Sequence, residues 1–107
     1  MSTTLLADPV LTQFGAALRA LYGNRLERAV LYGSRARGDA RADSDYDLAV
    51  FLHDLTDRWA EMRRLGDLSL TMLDAHDALV HAMAYRAGSW RERTPLMHDI
   101  RRDGIDL

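Results

Sequence analysis

Cysteine and lysine are both absent from this 107-residue chain. The missing cysteine excludes disulfide bonds and any zinc or iron–sulfur site held by thiolates. The missing lysine excludes a P-loop, which needs that residue to reach the nucleotide phosphates. No apolar run is longer than five residues, so no segment of the sequence is predicted to cross a membrane. Because Met1 to Pro9 lacks the features of a secretory signal, we expect a cytoplasmic protein.

The charged residues nearly balance, but each sign is dominated by one residue type. All fourteen basic residues are arginine, thirteen of the sixteen acidic residues are aspartate, and the net charge is −2. A near-neutral chain lacks the basic surface that favours nucleic-acid binding, so direct binding to nucleic acid is not expected. A local group of arginines can still bind the phosphates of a small molecule. The length fits one domain, residues 1–107.

Apolar spacing and capping residues predict seven elements in which helices and strands alternate. The first helix covers about residues 9–22, and the second helix is very short. Longer helices begin at Asp57 and at Thr94-Pro95, and the last one ends at Gly104. This alternation predicts an α/β (α+β) fold in which helices pack on a β-sheet. The predicted strands are 28–32, 46–52 and 78–85.

Two carboxylates stand at the beginning of the second predicted strand, in Asp45-Tyr46-Asp47. Side chains two positions apart on a strand share a face, so Asp45 and Asp47 are expected side by side, ~6–7 Å apart at their backbones. Such a pair can converge on one or two Mg²⁺ ions, and without a cation their repulsion raises one pKa. The opposite, core-facing side of the strand is predicted to carry Tyr46, Leu48, Val50 and Leu52.

A turn suited to phosphate binding lies at the exit of the first predicted strand, in Gly33-Ser34-Arg35. Glycine lets backbone N–H groups approach a phosphate closely, and Ser34 adds a hydroxyl donor. Arg35 and Arg37 add guanidinium groups that suit phosphate oxygens. A phosphate-binding turn followed by a carboxylate pair predicts metal-assisted attack on a nucleotide.

The stretch from Leu31 to Leu48 resembles the signature of the minimal nucleotidyltransferases, which belong to the DNA polymerase beta-like superfamily. Its central pattern is Gly33-Ser34, ten intervening residues and then Asp45-x-Asp47. The segment from Leu96 to Leu107 also resembles the closing helix of that family. The resemblance implies a small mixed β-sheet flanked by helices, a Gly-Ser turn that binds ATP or another NTP, and two Mg²⁺ ions on the aspartates. The predicted nucleotide-binding residues are Gly33, Ser34, Arg35, Arg37 and Ser44.

The resemblance also implies a partner. Members of this family are often encoded beside a HEPN-domain protein, as the antitoxin of a toxin–antitoxin pair, and some transfer AMP to a tyrosine of the toxin. It therefore implies a Mg²⁺-dependent nucleotidyltransferase whose partner and acceptor is a HEPN-domain protein. A chain of 107 residues has room for little beyond a catalytic core, so the acceptor is expected to come from that partner. Homo- and hetero-oligomers both remain open.

The sequence departs from the family pattern in the third predicted strand. A third carboxylate normally lies there, and the spacing places His81 at its position, so His81 joins Asp45 and Asp47 as a predicted catalytic residue. Imidazole is not the usual hard ligand of Mg²⁺. Asp77 and Asp74 could replace it only if the strand began elsewhere. This departure puts catalysis in doubt more than it does nucleotide binding.

Other interpretations of these residues stay open. The aspartate run 43–47 could be a calcium loop, although an EF-hand needs glycine where Leu48 stands, or a solvated turn. A non-catalytic nucleotide-binding module could neutralise a HEPN partner by contact alone, which His81 favours and the intact aspartate pair disfavours. Transfer to a small molecule is a third hypothesis, although the chain lacks an additional substrate domain.

Overall fold

The computed structural model describes residues 8–107. The prediction that the N-terminus carries no secretory signal rests on residues that lie almost wholly outside this range. The helices are α1 (Pro9–Tyr22), α2 (Ser34–Arg37), α3 (Arg58–His76) and α4 (Pro95–Asp103), and the strands are β1 (Leu26–Tyr32), β2 (Tyr46–Leu52), β3 (Val80–Arg86) and β4 (Ile105–Asp106). Within the described residues, no helix is long and apolar enough to span a bilayer.

The strands form a four-stranded mixed sheet in the order β3-β2-β1-β4. Strand β1 runs antiparallel to both β2 and β4. Strand β2 runs parallel to β3, and α3 makes the crossover between them, as a parallel pair requires. The predicted fold, a small mixed sheet flanked by helices, is confirmed.

Local caps explain where the longer helices begin and end. The carboxylate of Asp8 accepts a hydrogen bond from the backbone N–H of Val10 at 2.8 Å, and Gly23 ends α1 at a φ of 53°. Asp57 caps α3 through the N–H of Ala60 at 3.1 Å, as its position before an apolar-periodic segment predicts. These short-range signals place α1 at its predicted bounds and α3 one residue after the predicted start.

The core lies on both sides of the sheet. Helices α1 and α3 cover one face, where Phe14, Leu48 and Leu65 are fully buried. Helix α4 covers part of the other face, where Ala49 and Phe51 pack beneath it. The prediction that β2 has one core-facing side is incomplete, because both of its faces are buried over most of its length. Within β2, only Asp47 is partly accessible to solvent, and Asp45, just before the strand, is exposed.

Two of the predicted strands have different bounds in the structure, and a fourth strand was not predicted. Strand β1 begins at Leu26 instead of residue 28, because a short 3-10 turn ends at Arg25 and the chain extends at once. Strand β3 runs from Val80 to Arg86 instead of over residues 78–85. Strand β4 was not predicted, since two residues carry no pattern of their own and pair with β1 only in the folded chain.

Candidate active site

Gly33 connects β1 to α2 and brings the two parts of the predicted motif together. Its φ of 77° is a left-handed conformation that favours glycine, and an added Cβ would lie 2.6 Å from Oδ2 of Asp47. The Gly33 carbonyl accepts a hydrogen bond from the N–H of Ala36 at 3.1 Å, which closes the one-turn helix. The first N–H groups of such a turn, on Ser34 and Arg35, have no partner within the helix. The turn therefore presents donors directly beside a carboxylate.

The two aspartates differ in their surroundings. Asp45 lies just before β2 and is exposed, whereas Asp47 is the second residue of β2 and is half-buried. Burial raises the pKa of Asp47 above its usual value; the charge of His81 opposes this rise, Asp45 adds to it and Arg37 opposes it. Asp47 thus holds its negative charge at a cost that a bound cation would remove.

His81 lies beside the aspartate pair. In the parallel pairing of β2 with β3, His81 is the register partner of Asp47, and its Nε2 lies 3.0 Å from Oδ2 of Asp45. Asp77 ends α3 with a φ of 52°, three residues before β3, and Asp74 lies within α3. The structure thus brings His81, and neither Asp77 nor Asp74, beside the aspartate pair on β3.

Arg35 supports the loop between α2 and β2. Its Nε and Nη2 donate to the carbonyl oxygen of Ser44 at 3.0 and 2.7 Å, and Nη2 also donates to that of Ala42 at 3.2 Å. The guanidinium carbon lies 3.9 Å from the ring centroid of Tyr46, in cation–π contact. These contacts favour a positioning role for Arg35 over the direct phosphate contact that the sequence suggests.

Tyr46, which stands between the two aspartates, joins this support to α1. Its hydroxyl donates to Oδ2 of Asp8 at 2.7 Å, while the other oxygen of that carboxylate caps α1. Burial raises the pKa of Tyr46 to about 12, and the hydrogen bond to Asp8 adds to the rise. The start of β2 is therefore fixed by contacts that sequence reasoning missed, because Asp8 signals only a helix cap.

Arg37 and Ser44 occupy the outer part of the site. Arg37 is exposed, with its Nε 3.3 Å from Oδ2 of Asp39. The Ser44 hydroxyl accepts a hydrogen bond from the N–H of Arg41 at 2.8 Å, which stabilises the turn before the aspartates. Arg37 is thus open to a ligand, and Ser44 contributes to the shape of the loop.

Tyr32 is a further residue that the sequence did not single out. It is the register partner of Asp47 in the antiparallel pair of β1 and β2, so the two side chains share a face of the sheet. Burial raises the pKa of Tyr32 to about 12, with Tyr85 and Asp47 adding smaller effects. Its phenol stays protonated at neutral pH beside the carboxylate. The sequence signal that could have identified Tyr32 as a site residue is its position directly before Gly33.

The carboxylate pair suits a magnesium ion that is shared with a substrate. Within residues 8–107, no three acidic or histidine side chains gather as a complete metal cage. Mg²⁺ in phosphate-transfer sites is commonly held by one or two carboxylates, with substrate phosphates and waters completing its shell. Asp45 and Asp47 supply such hard oxygen donors, and the Gly33 turn lies directly against the carboxylate of Asp47.

A mixed sheet whose Gly-Ser turn faces a carboxylate pair on the neighbouring strand is the core of a nucleotidyltransferase. The family model described as "Polymerase beta, Nucleotidyltransferase" matches residues 19–104. The match covers most of the chain, and the chain belongs to this family. None of the curated proteins matches the chain.

Three solved structures share this fold. A crystal structure of a toxin–antitoxin with AMP-PNP is 21% identical, with 88% of this chain and 69% of that chain covered and a TM-score of 0.58. One mutant of the toxin–antitoxin MntA-HpeT is 23% identical, with 90% and 70% covered and a TM-score of 0.61. A second MntA-HpeT mutant is 21% identical, with 88% and 69% covered and a TM-score of 0.59. At these identities, the likeness concerns the fold.

Proposed function

We propose that the chain is a Mg²⁺-dependent nucleotidyltransferase that transfers AMP from ATP to a hydroxyl of a partner protein, as the antitoxin of a toxin–antitoxin pair. The carboxylate of Asp47, which lies against Gly33 and shares its face with Asp45, carries the proposal. This contact joins a phosphate-binding turn to a cation-binding pair, and nucleotidyl transfer needs both at one point.

In this proposal the turn and the aspartates have separate tasks. The N–H groups of the turn and the Ser34 hydroxyl bind the β- and γ-phosphates, and Arg37 adds positive charge from the exposed side. Asp45 and Asp47 would hold the cation, which would supply positive charge to the phosphates and lower the pKa of the acceptor hydroxyl. The acceptor hydroxyl gives its proton to water, its oxygen bonds to the α-phosphorus, and the bond from that phosphorus to the bridging oxygen breaks, so that pyrophosphate leaves.

Arg35 and Tyr46 keep these groups in place. Because Arg35 binds the carbonyl of Ser44, the residue before Asp45, the loop that carries the first aspartate is fixed to the helix that follows Gly33. Such preorganisation lowers the cost of bringing the turn and the carboxylates to one nucleotide.

The partner follows from the small size of the site and from the structural neighbours. The aspartates stand at the start of β2, an inner strand of the sheet, and Asp45 is exposed there, so acceptor recognition needs a surface from elsewhere. The neighbours are toxin–antitoxin structures, one of them with AMP-PNP. These observations support a toxin partner, which we propose to be the HEPN-domain protein that the family resemblance implies.

His81 supports a second candidate function. An imidazole at the position of the third carboxylate, 3.0 Å from Asp45, would leave the site with fewer oxygen donors. In that case the chain binds a nucleotide and neutralises its partner by contact alone. The alternatives differ in a measurable product, since only the first leaves AMP on the partner.

The test uses ATP labelled at the α-phosphate, Mg²⁺ and the HEPN-domain protein encoded beside this chain. We expect label on the partner, and no label with Asp45→Asn plus Asp47→Asn. Asp43→Asn makes the same chemical change at an exposed position outside the pair and should leave transfer intact. Label that survives the double substitution would contradict the mechanism. A neutralised but unlabelled partner would favour the contact-only function.

A further inference from the structure

The outer side of α3 carries large apolar side chains in contact with water. Trp59 is 78% exposed, Leu70 64% and Leu73 42%. Together with Gly66 they lie on one side of the helix, since their spacings are close to whole numbers of turns. Leu65, which packs into the core, points to the opposite side. We call Trp59, Gly66, Leu70 and Leu73 the α3 stripe.

Gly66 forms a notch in the middle of the α3 stripe. A Cβ at this position would meet no atom within 4 Å, so nothing in the described fold requires glycine there. Glycine inside a helix lowers its stability relative to alanine. A notch one turn before Leu70 lets another backbone or a leucine side chain approach the helix closely.

The charges along one edge of the α3 stripe are segregated. Arg63 lies in the N-terminal half of α3, and Asp74 lies in the C-terminal half on the same edge. Both are exposed, and neither forms an ion pair within residues 8–107. A parallel copy of the helix would not bring Arg63 and Asp74 together, whereas an antiparallel copy places Arg63 opposite Asp74 twice.

We propose that the α3 stripe is the interface of a homodimer in which α3 packs antiparallel on α3 of a second copy. Two-fold symmetry makes such a contact self-complementary. Leu70 of each copy then fills the Gly66 notch of the other copy. Trp59 of each copy packs beyond that notch, on the side of Leu73 of the other copy. The stripe lies on the outer side of the helix layer, away from the sheet face that carries Asp47, so both active sites stay accessible.

Sedimentation equilibrium of the full chain tests the interface by mass. We expect a reversible dimer of twice the 12.1 kDa chain mass. Leu70→Arg should weaken association about a hundredfold, since it places an unpaired charge at the centre of the contact. Ala75→Arg makes the same kind of change at an exposed position on another side of α3 and should leave the dimer unchanged.

Charge exchange tests the antiparallel arrangement. Arg63→Asp and Asp74→Arg should each weaken self-association, because each puts like charges opposite one another. An equal mixture of the two single variants should form a mixed dimer, and the double variant should regain the dimer. In a parallel dimer neither single variant would create a like-charge pair that the wild type lacks, so single variants that associate as tightly as the wild type would overturn the proposal.

Gly66→Gln separates loss of the interface from loss of the fold. It should raise the thermal midpoint, since glutamine favours helix more than glycine does, and should weaken the dimer by filling the notch. A wild-type chain that stays monomeric at a hundred times the concentration used in the transfer assay would overturn the proposal. The α3 stripe would then bind a different partner. A dimer insensitive to Leu70→Arg would overturn it as well.

Discussion

Glu61 is a buried acid and Asp47 a half-buried one, and the fold gives them opposite surroundings. Glu61 is only 3% exposed, and its carboxylate accepts from Arg25 at 2.8 Å and from Arg64 at 2.9 Å. Within residues 8–107, Asp47 has no ion pair of this kind, and another acid, Asp45, stands beside it. The fold thus provides two arginine partners for the carboxylate of Glu61 and leaves that of Asp47 without an ion pair within residues 8–107.

The pKa values of the two acids follow their surroundings. Burial by itself would raise the pKa of Glu61, but hydrogen bonds from Arg25 and Arg64 outweigh burial and lower it. Burial also raises the pKa of Asp47, and there the opposing charges of His81 and Arg37 do not reverse it. An acid with positively charged hydrogen-bond partners stabilises the fold, whereas a partly buried acid without such partners is typical of a functional site.

Removing the charge of Asp47 should have the largest effect on activity. We expect Asp47→Asn to lower transfer by about a thousandfold, because the cation loses a ligand. The thermal midpoint should stay the same or rise, since a strained negative charge is removed. Transfer and thermal unfolding, measured on the same preparation, check both outcomes. A large loss of stability would mean that Asp47 is structural in the way that Glu61 is.

Glu61→Gln should have the opposite profile. It breaks two charge-assisted hydrogen bonds in a buried site, and we expect it to lower the free energy of unfolding by about 2 kcal/mol. Transfer per folded molecule should not change, because Glu61 lies on the helix-covered side of the sheet. Urea unfolding and initial rates measure the two quantities. If Glu61→Gln transferred less AMP although it was fully folded, the contrast between Glu61 as a structural acid and Asp47 as a functional acid would be wrong.

Acid should remove the contribution of Glu61. Because folding lowers its pKa below 4.5, its pairing stabilises the folded state above pH 4.5 and loses that effect as the pH falls through the folded-state pKa. The stability difference between wild type and Glu61→Gln should be constant near neutrality and shrink below pH 4.5. Unfolding curves across this range measure it. A difference that grows on acidification would contradict the assignment.

Gly33→Ala should have a smaller effect on stability and a selective effect on the site. We expect a cost of about 1–2 kcal/mol from the left-handed backbone, together with weaker nucleotide binding as the Cβ displaces Asp47. Gly38→Ala is a control for a positive φ without the contact, because Gly38 has a φ of 84° in the less strained αL region and its Cβ would meet nothing within 4 Å. Equal effects of the two variants on nucleotide binding would show that the contact with Asp47 has no role.

Arg35→Lys should have the smallest effect, about 1 kcal/mol, because it keeps the charge but loses the two-pronged hydrogen bond to Ser44. Amide hydrogen exchange should become faster in residues 38–45 without any nucleotide present. A variant whose loop exchanges as slowly as the wild-type loop, while its nucleotide affinity falls, would make Arg35 a phosphate ligand instead of a positioning residue.

The parts of the fold that the sequence could predict depend on local signals. Helix α1 has an Asp-Pro start and Gly23 at its end, and β2 is a dense apolar run, so both match their predicted bounds. The placement of His81 beside Asp47 followed from the family spacing and the parallel register. Strand β4 could not be predicted in this way, because its two residues become a strand only through pairing with β1.

The support of the site was beyond sequence reasoning for a similar reason. The contact of Arg35 with Ser44 depends on how the loop before β2 folds back, and the contact of Tyr46 with Asp8 joins positions 38 residues apart. Residue types suggest that Arg35 and Arg37 bind phosphate, which remains a prediction for both. Only the folded loop shows that Nε and Nη2 of Arg35 already donate to backbone carbonyls.

Calorimetric titration with AMP-PNP, with and without Mg²⁺, tests most directly whether Asp47, which has no ion pair within residues 8–107, serves to bind a cation and a nucleotide. The account predicts that binding to the wild-type chain is much tighter with Mg²⁺, and that Asp45→Asn plus Asp47→Asn removes the dependence on Mg²⁺ while the chain stays folded. Binding that is equally tight without Mg²⁺, or unchanged by the double substitution, would contradict it.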